Sequence, residues 1–542
     1  MMQATTYIFG HKFPDTDSVC ASISLSYLKN KLGEKTEPRI LGTLNKESKF
    51  VLDYFGFKEP EFLNDVKIQI RNMQYNKEAM IEEHVSIYRT YKALGSMGIT
   101  GFPLVDKDRC LTGYVNVKQI SKYLIEGDFN YIYTSYDNIL EALSGKEVLK
   151  FDEEIEGNIL AAAYKSQTFI DRVVLDKKDI LILGDRYKIM EYAVDSGIKL
   201  IILVNNTEFP ENLIERAKKN KVNVISVPLG TYKCSNMIKL CNYVKLLNMN
   251  PTPITFRVGD YRDDFIDISG KCGCTNYPIV TSKNVCLGMI RVVDVNDYEK
   301  KKVILVDHNE ASQSVDGLEE SSILEIIDHH NIGSIGTSMP INFRCMPVGS
   351  TCTIIYKLFQ EAGVDIPKNI AGIMLSAILS DTLLFKSPTT TPLDIEVGNK
   401  LAVIAKQDIQ DYGYKMFKAT SSVQGLTIAD IVNYDMKTYK LGGDGVAVGQ
   451  IITMDFDDIA RKEDELVKYL DEMCTTSFKM SLLFVTDVIR NGSYVFFNNK
   501  AKDFLEDAYG ITNLEQGAYF DGFVSRKKQM LPPLIELAER RS

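Results

Sequence analysis

Short apolar runs, each closed by a polar cluster, recur along this chain and set its predicted elements. TTYIFG (5–10), KVILVD (302–307) and SILEIID (322–328) read as buried strands, since a continuous apolar run of that length bounded by turn residues suits a sheet covered on both faces. SVCASISLSYLKNKLG (18–33), with Gly33 as its C-cap, and KNIAGIMLSAILSD (368–381) read as helices. Strands alternating with helices predict a largely parallel α/β sheet, here assembled from two distant stretches, 1–65 and 303–410. Residues 418–542 mix both patterns and read as a second α/β lobe.

The stretch between those two parts contains an internal repeat. GITGFPLVDKDRCLTGYV (98–115) aligns without a gap on GCTNYPIVTSKNVCLGMI (273–290). Gly98, Thr100, Pro103, Val105 and Gly113 recur as Gly273, Thr275, Pro278, Val280 and Gly288, and Phe102 recurs as Tyr277. Each copy reads as helix, turn, strand, turn, strand, helix, with VSIYRTYKALGSMG (85–98) as the helix before the first. Two such half-covered units pack on each other. The repeat resembles the cystathionine-β-synthase-type (CBS) domain, a pair of which binds adenine nucleotides in the cleft between copies. The resemblance points to Asn116, Tyr277, Arg291 and Asp294 as nucleotide contacts, although the first copy has Asn116 and Gln119 where the family has a Ser/Thr and an Asp. Between the copies, RVVLD (172–176), DILILG (179–184) and LIILVN (200–205) read as strands and NLIERAKKN (212–220) as a helix. Gly184-Asp185-Arg186, after a strand, resembles the signature of the DRTGG domain, with Tyr187 and Lys188 departing from it. The divisions read from the chain are 66–130 for the first CBS unit, 131–245 for the DRTGG-like domain and 246–302 for the second CBS unit.

Composition narrows the class. A length of 542 residues suggests about three to five domains. With 45% hydrophobic and 25% charged residues, the chain is neither disordered nor fibrous. A net charge of −9 without a basic stripe argues against a nucleic-acid partner. No apolar run approaches the roughly 20 residues of a membrane span, and the N-terminus lacks the pattern of a secretory signal, so the expected setting is cytoplasmic. The ten cysteines are then reduced thiols, and Cys272 and Cys274 lack a second pair at zinc spacing.

Candidate chemistry concentrates at the ends of the apolar runs. Of five histidines, four stand beside aspartates, in GHKFPDTDS (10–18), VDHNE (306–310) and DHH (328–330); His84 has no such company. Asp381 follows the helix pattern at 368–381. A parallel sheet collects such strand ends at its carboxyl edge, where ligands bind. Read alone, Asp17 is a helix cap. Together, His11, Asp15, Asp17, Asp307, His329 and Asp381 form an imidazole–carboxylate set suited to Mn²⁺, Co²⁺, Fe²⁺ or Zn²⁺ rather than Ca²⁺. Six groups exceed the needs of one tetrahedral ion, whereas two ions sharing a carboxylate would use them all. A cation pair about 3.5–4 Å apart supports in-line displacement at phosphorus and activates a shared water, so metal-assisted phosphoryl transfer to water is expected. His308 and Asp328 would orient the ligands. SRKKQ (525–529) is a compact basic motif which, read alone, is a solvated face.

In combination, GHKFPDTDS, VDHNE, DHH, LSAILSDTLLFKSP (375–388) and SRKKQ resemble the family II inorganic pyrophosphatases of the DHH phosphoesterase superfamily, in the bacterial form whose CBS pair flanks a DRTGG domain. Phe13 stands where that family usually has Asn. The resemblance implies a split DHH domain with a parallel sheet and a C-terminal DHHA2-type lobe. It implies two Mn²⁺ or Co²⁺ ions bridged by Asp307, and Mg²⁺ arriving with pyrophosphate. His330, Lys437, Arg526 and Lys527 would bind the substrate, Lys437 within a segment that otherwise reads as an exposed helix. A hinge near 408–418, inhibition by AMP or ADP, activation by ATP or diadenosine polyphosphates, and a homodimer are also implied. Two readings stay open beside it: a DHH-type phosphodiesterase or exopolyphosphatase, and a nucleotide-sensing protein without catalysis. Relatives of the former carry a GGGH motif, where this chain has Gly442-Gly443-Asp444-Gly445.

Overall fold

The computed structural model describes residues 5–247, 252–420, 426–441, 444–453, 456–476, 478–487 and 490–541; Gly442 and Gly443 lie outside this set. The chain forms two compact units, one built from the residues up to Lys67 together with those from Lys300 onward, the other from Ile68–Glu299. No described helix is long and apolar enough to cross a membrane.

The first unit is organised on a six-stranded, wholly parallel sheet in the order Asn342–Cys345, Ser322–Asp328, Lys302–Val306, Thr6–Phe9, Thr36–Ile40, Glu61–Phe62. Alternation along each strand divides the core. Ile8, Ile304 and Val306 face a helical layer that includes Thr16–Lys31, Thr351–Ala362, Lys368–Asp381 and Pro392–Ala405. Phe9, Val303 and Leu305 face the opposite side, which Val66, Val315 and Leu318 cover from short turns and connections rather than helices. Chain order runs outward in one direction from Thr6–Phe9 and in the other from Lys302–Val306, so the switch point of the sheet lies between these two strands.

The stretch near 408–418, expected as a hinge, falls largely within the helix Ile409–Thr420. Tyr412, Met416 and Phe417 bury themselves in the core of the first unit from one face of it. The C-terminal lobe has a five-stranded sheet, Met436–Leu441, Asp444–Thr453, Met480–Asp487, Gly492–Phe497 and Ala518–Asp521 in that order. All its pairings are antiparallel except that of Asp444–Thr453 with Met480–Asp487.

In the second unit the repeat is structural. Helices Ile87–Met97 and Arg262–Cys272 both end on a left-handed glycine, Gly98 (φ 62°) and Gly273 (φ 64°). Hairpins Gly101–Val105/Leu111–Asn116 and Asn276–Val280/Cys286–Arg291 follow, with register shifts at equivalent places. Their turns meet: Leu111 N donates to Asn284 O at 2.9 Å, and Cys286 N to Arg109 O at 2.9 Å. The helix expected after the second copy is only the short turn Val292–Asp294. The central domain has a six-stranded sheet with four parallel strands, Glu154–Ala161, Asp179–Leu183, Leu200–Leu203 and Asn223–Ser226, and an antiparallel strand at each edge. RVVLD is not a strand. Arg172 ends the helix Ser166–Arg172, and Val174 is 89% exposed in the connection that follows.

Candidate metal centre

His11, Asp307 and His329 each follow a strand of the six-stranded parallel sheet, and the first two flank its switch point. The remaining acids come from helix ends. Asp15 is the N-cap of Thr16–Lys31, with its carboxylate accepting from Ser18 N at 2.9 Å, and Asp17 lies in the first turn of that helix. Asp381 ends the helix Lys368–Asp381.

Asp307 is central and almost fully buried. His11 Nε2 lies 3.5 Å from its Oδ2 and 3.2 Å from Asp15 Oδ2, while His329 Nε2 lies 3.3 Å from its Oδ1. Two sets of ligand atoms, His11/Asp15/Asp307 and Asp17/His329/Asp381, each fall within 4.8 Å of one another, and Asp307, His329 and His330 form a third. Asp17 and Asp307 make the floor; Asp15 and His330, with side chains 48% and 45% exposed, stand at the opening.

The surroundings fix each donor. His329 Nδ1 donates to Val348 O at 3.0 Å, so Nε2 is the nitrogen that faces Asp307 and would offer its lone pair once a cation displaced its proton. Asp328 accepts from His330 Nδ1 at 2.9 Å and from the backbone N–H groups of His329 and His330. Despite burial, these contacts, together with a hydrogen bond from Asn309 Nδ2, hold its carboxyl down at about 2. His308 does not point at the cluster: Nδ1 meets Val306 O at 2.9 Å and Nε2 meets Ser314 Oγ at 3.0 Å, and burial lowers its pKa to about 4. Asp307 has φ 60°, a left-handed backbone uncommon outside glycine, asparagine and aspartate.

Sequence reasoning missed three supports. Ser350 Oγ and the backbone N–H groups of Thr351 and Cys352 all donate to Asp17, at 2.7, 2.6 and 3.1 Å. The serine before TCTIIYKLF is a legible helix cap, but its second duty of clamping Asp17 has no local signal. Buried Asp394 accepts from Gly349 N at 2.8 Å and Thr353 Oγ1 at 2.6 Å, holding the loop that carries this clamp. Glu47 accepts from Thr16 and Ser380.

Electrostatics define what fits. Burial and the charges of Asp17 and Asp15 push Asp307 up to about 7, and burial with the same two neighbours and Asp307 pushes Asp381 well up. Burial lowers the pKa of His11 and His329, but adjacent carboxylates outweigh it and raise them to about 9 and about 10. Among the described residues, only histidines form ion pairs with these ligand-set acids. Four mutually repelling carboxylates and two imidazoles that face them through Nε2 fit divalent cations. Because the raised histidines are protonated at neutral pH in the metal-free protein, cations must displace those protons. Mn²⁺ affinity should therefore rise more than about tenfold between pH 7 and 8.5, with proton release detectable by calorimetry in buffers of different ionisation enthalpy.

The other expected residues are distributed differently. Lys437 is exposed on the strand Met436–Leu441, not on a helix, because that segment pairs with Asp444–Thr453. SRKKQ opens the π-helical turn Arg526–Met530. Arg526 is buried, and its guanidinium donates to Asp435 Oδ2 at 2.8 Å, to Asp435 O and to Val448 O at 3.2 Å. Lys527 is exposed, and Lys528 donates to Pro388 O at 3.1 Å, in the stretch after Asp381. In the second unit, Tyr277 is 1% exposed and its ring packs edge-on against Phe256 and Phe265. It is a core residue there, without a face open to an adenine. Asn116 and Gln119 form a reciprocal helix cap, and Arg291 forms a two-pronged pair with Asp294 at 2.8 and 2.7 Å.

Comparison with known proteins gives three family matches: the DHH family, N-terminal domain, over residues 234–378, the DRTGG domain over 138–241, and the DHHA2 domain over 414–537. A cobalt-dependent inorganic pyrophosphatase of Clostridium perfringens is 34% identical over 100% of both chains. The chain belongs to the family II inorganic pyrophosphatases. A probable manganese-dependent member from Thermotoga maritima is 30% identical over 98% of each chain. Another, from Clostridium acetobutylicum, is 43% identical over 44% of this chain and 77% of its own length.

Proposed function

We propose that this chain hydrolyses inorganic pyrophosphate to two phosphates at the cluster around Asp307, with two Mn²⁺ or Co²⁺ ions resident and Mg²⁺ brought by the substrate. The observation that carries this is the shared position of Asp307, 3.5 Å from His11 Nε2 and 3.3 Å from His329 Nε2. His11, Asp15, Asp17, Asp307, His329 and Asp381 would hold the ions. When bound, such a pair supplies Lewis acidity at phosphoryl oxygens and lowers the pKa of water from about 15.7 towards about 7. The protein's own part is placement. Ser350 and Thr351 fix Asp17, Val348 O fixes the His329 tautomer, and Asp328 turns His330 by its Nδ1 at the open side of the cluster, where it meets the substrate. Lys437, Arg526 and Lys527 supply positive charge for pyrophosphate from the C-terminal lobe. Ten unpaired cysteines suit a reducing, cytoplasmic setting, and the resemblance implies a homodimer.

The test is phosphate release from pyrophosphate after loading chelated protein with Mn²⁺ or Co²⁺, run beside a short oligonucleotide and a cyclic dinucleotide. Release from pyrophosphate alone is expected; cleavage of either nucleotide substrate in its place would replace this reading.

Regulation is the second part of the proposal: AMP or ADP inhibits, and ATP or a diadenosine polyphosphate activates, from the cleft of the CBS pair. The chain leaves the catalytic unit after Lys67, where Val66 N donates to Asp316 O at 3.0 Å. Gly317 has φ 78°, and a side chain there would strike Lys67. Asp316 Oδ1 accepts from Lys12 Nζ at 2.8 Å, beside His11, and Ser314 meets His308, beside Asp307. The exit of the insert therefore contacts the segment 314–317, which in turn contacts Lys12 and His308, the chain neighbours of His11 and Asp307. Asp316→Ala should leave AMP affinity unchanged while cutting the AMP effect on turnover to about half or less, as coupling rather than binding is removed. Paired measurements of AMP binding and of pyrophosphate hydrolysis check it.

A further inference from the structure

Glu47 lies in the first turn of the helix Lys46–Phe55, whose cap Asn45 accepts from Ser48 N at 2.7 Å. Its Oε1 accepts from Thr16 Oγ1 at 2.7 Å and also from Ser380 Oγ, 333 positions away. Thr16 stands between Asp15 and Asp17, and Ser380 directly precedes Asp381. One oxygen thus ties the start of the first helix to the end of the helix that carries Asp381. The segments it joins supply three of the four carboxylates in the two principal ligand sets. Like charges drive those carboxylates apart at about 1 kcal/mol per pair at 4 Å even in water, and several-fold more at a partly buried site. Hydroxyl donors bound to a common acceptor hold the two chain segments without adding a cation that would compete with metal.

We propose that Glu47 is a positioning residue of the metal centre, a tether that keeps the Asp15–Asp17 segment and Asp381 at the separation two cations require. This rests on the assignment of those acids as metal ligands. It names a residue that contacts the ligand-bearing segments rather than the substrate, and it acts through acceptor geometry rather than through charge.

The experiment uses the full chain, stripped with chelator, and compares Glu47→Ala, Glu47→Gln and Ser380→Ala with the parent. The readouts are Mn²⁺ affinity, the visible absorption of the Co²⁺-loaded protein, and hydrolysis as a function of free Mn²⁺. Glu47→Ala and Ser380→Ala should each weaken Mn²⁺ binding about tenfold or more and alter the Co²⁺ spectrum, the scale seen when groups behind metal ligands are removed. Turnover should recover with excess Mn²⁺, with KM for pyrophosphate little changed. Glu47→Gln, whose carbonyl still accepts both hydroxyls, should stay within about threefold of the parent. Parental affinity and spectrum in both alanine variants would overturn the proposal. So would Glu47→Gln behaving like Glu47→Ala, which would make charge the operative property. If Glu47→Ala does not fold, Ser380→Ala decides alone. Parent protein that binds Mn²⁺ as described but releases no phosphate from pyrophosphate would remove the assigned reaction while the variant series still supports the tether.

Discussion

Asp307→Asn should lower kcat for pyrophosphate by about 10³-fold or more, the equivalent of roughly 4 kcal/mol at about 1.36 kcal/mol per decade. The substitution keeps shape and removes charge at the residue shared by His11 and His329. It also keeps the backbone, because asparagine tolerates the left-handed region that Asp307 occupies at φ 60°. A loss therefore reports on ligand charge and not on refolding of the loop. Metal analysis of the variant should show the stoichiometry falling from about two towards one per chain. The metal-free protein should respond in the opposite sense. Burial and the charges of Asp17 and Asp15 raise the Asp307 carboxyl to about 7. A carboxyl raised on folding costs stability above that pH and costs progressively less as pH falls through 7 towards its unfolded value. Without metal at pH 8, the asparagine variant should melt at or above the parent, while with Mn²⁺ the order should reverse. Calorimetric melts of the four samples check both statements.

Arg526→Lys should lower kcat/KM by about 10² to 10³, or about 3–4 kcal/mol, although charge is conserved. The guanidinium is buried and forks between Asp435 and Val448 O. A lysine offers one nitrogen on a flexible stem and cannot meet those acceptors from one plane. Because Asp435 lies two residues before Lys437, the fork also sets where the strand carrying Lys437 runs relative to SRKKQ. Steady-state kinetics of Arg526→Lys beside Lys528→Ala separate the two lysine-rich neighbours. Lys528 reaches a backbone oxygen of Pro388, and its loss should change kcat/KM by less than about tenfold.

What could be read from the chain before folding was the set of strand-end donors, and the reason is geometric. Parallel strands deliver their following residues to one edge, so His11, Asp307 and His329 had to meet there once the runs before them were recognised as strands. The repeat was equally legible, because glycines at the same helix ends enforce the same left-handed turn in both copies. Residues that act across distance left no mark. Glu47, Ser350 and Asp394 sit in ordinary polar contexts, and only the packing of helices from distant stretches gives them their partners. Other misreadings have local causes. Val173 and Val174 look like strand residues but follow a helix with no neighbouring strand to pair with. Tyr277 repeats the aromatic of Phe102, yet period alone does not say which face of a hairpin is covered, and both rings are core.

The junctions of the insert carry a wider consequence. Lys301 Nζ lies 3.7 Å from Asp65 Oδ1, so the points where the chain departs and returns are neighbours. To the parallel sheet, everything between them is a loop whose mouth is already closed, and its length adds little entropic penalty. The returning segment runs straight into the strand Lys302–Val306 and ends on Asp307. Any module with adjacent termini would graft at this point without rebuilding the parallel sheet, its returning end only a strand's length from Asp307.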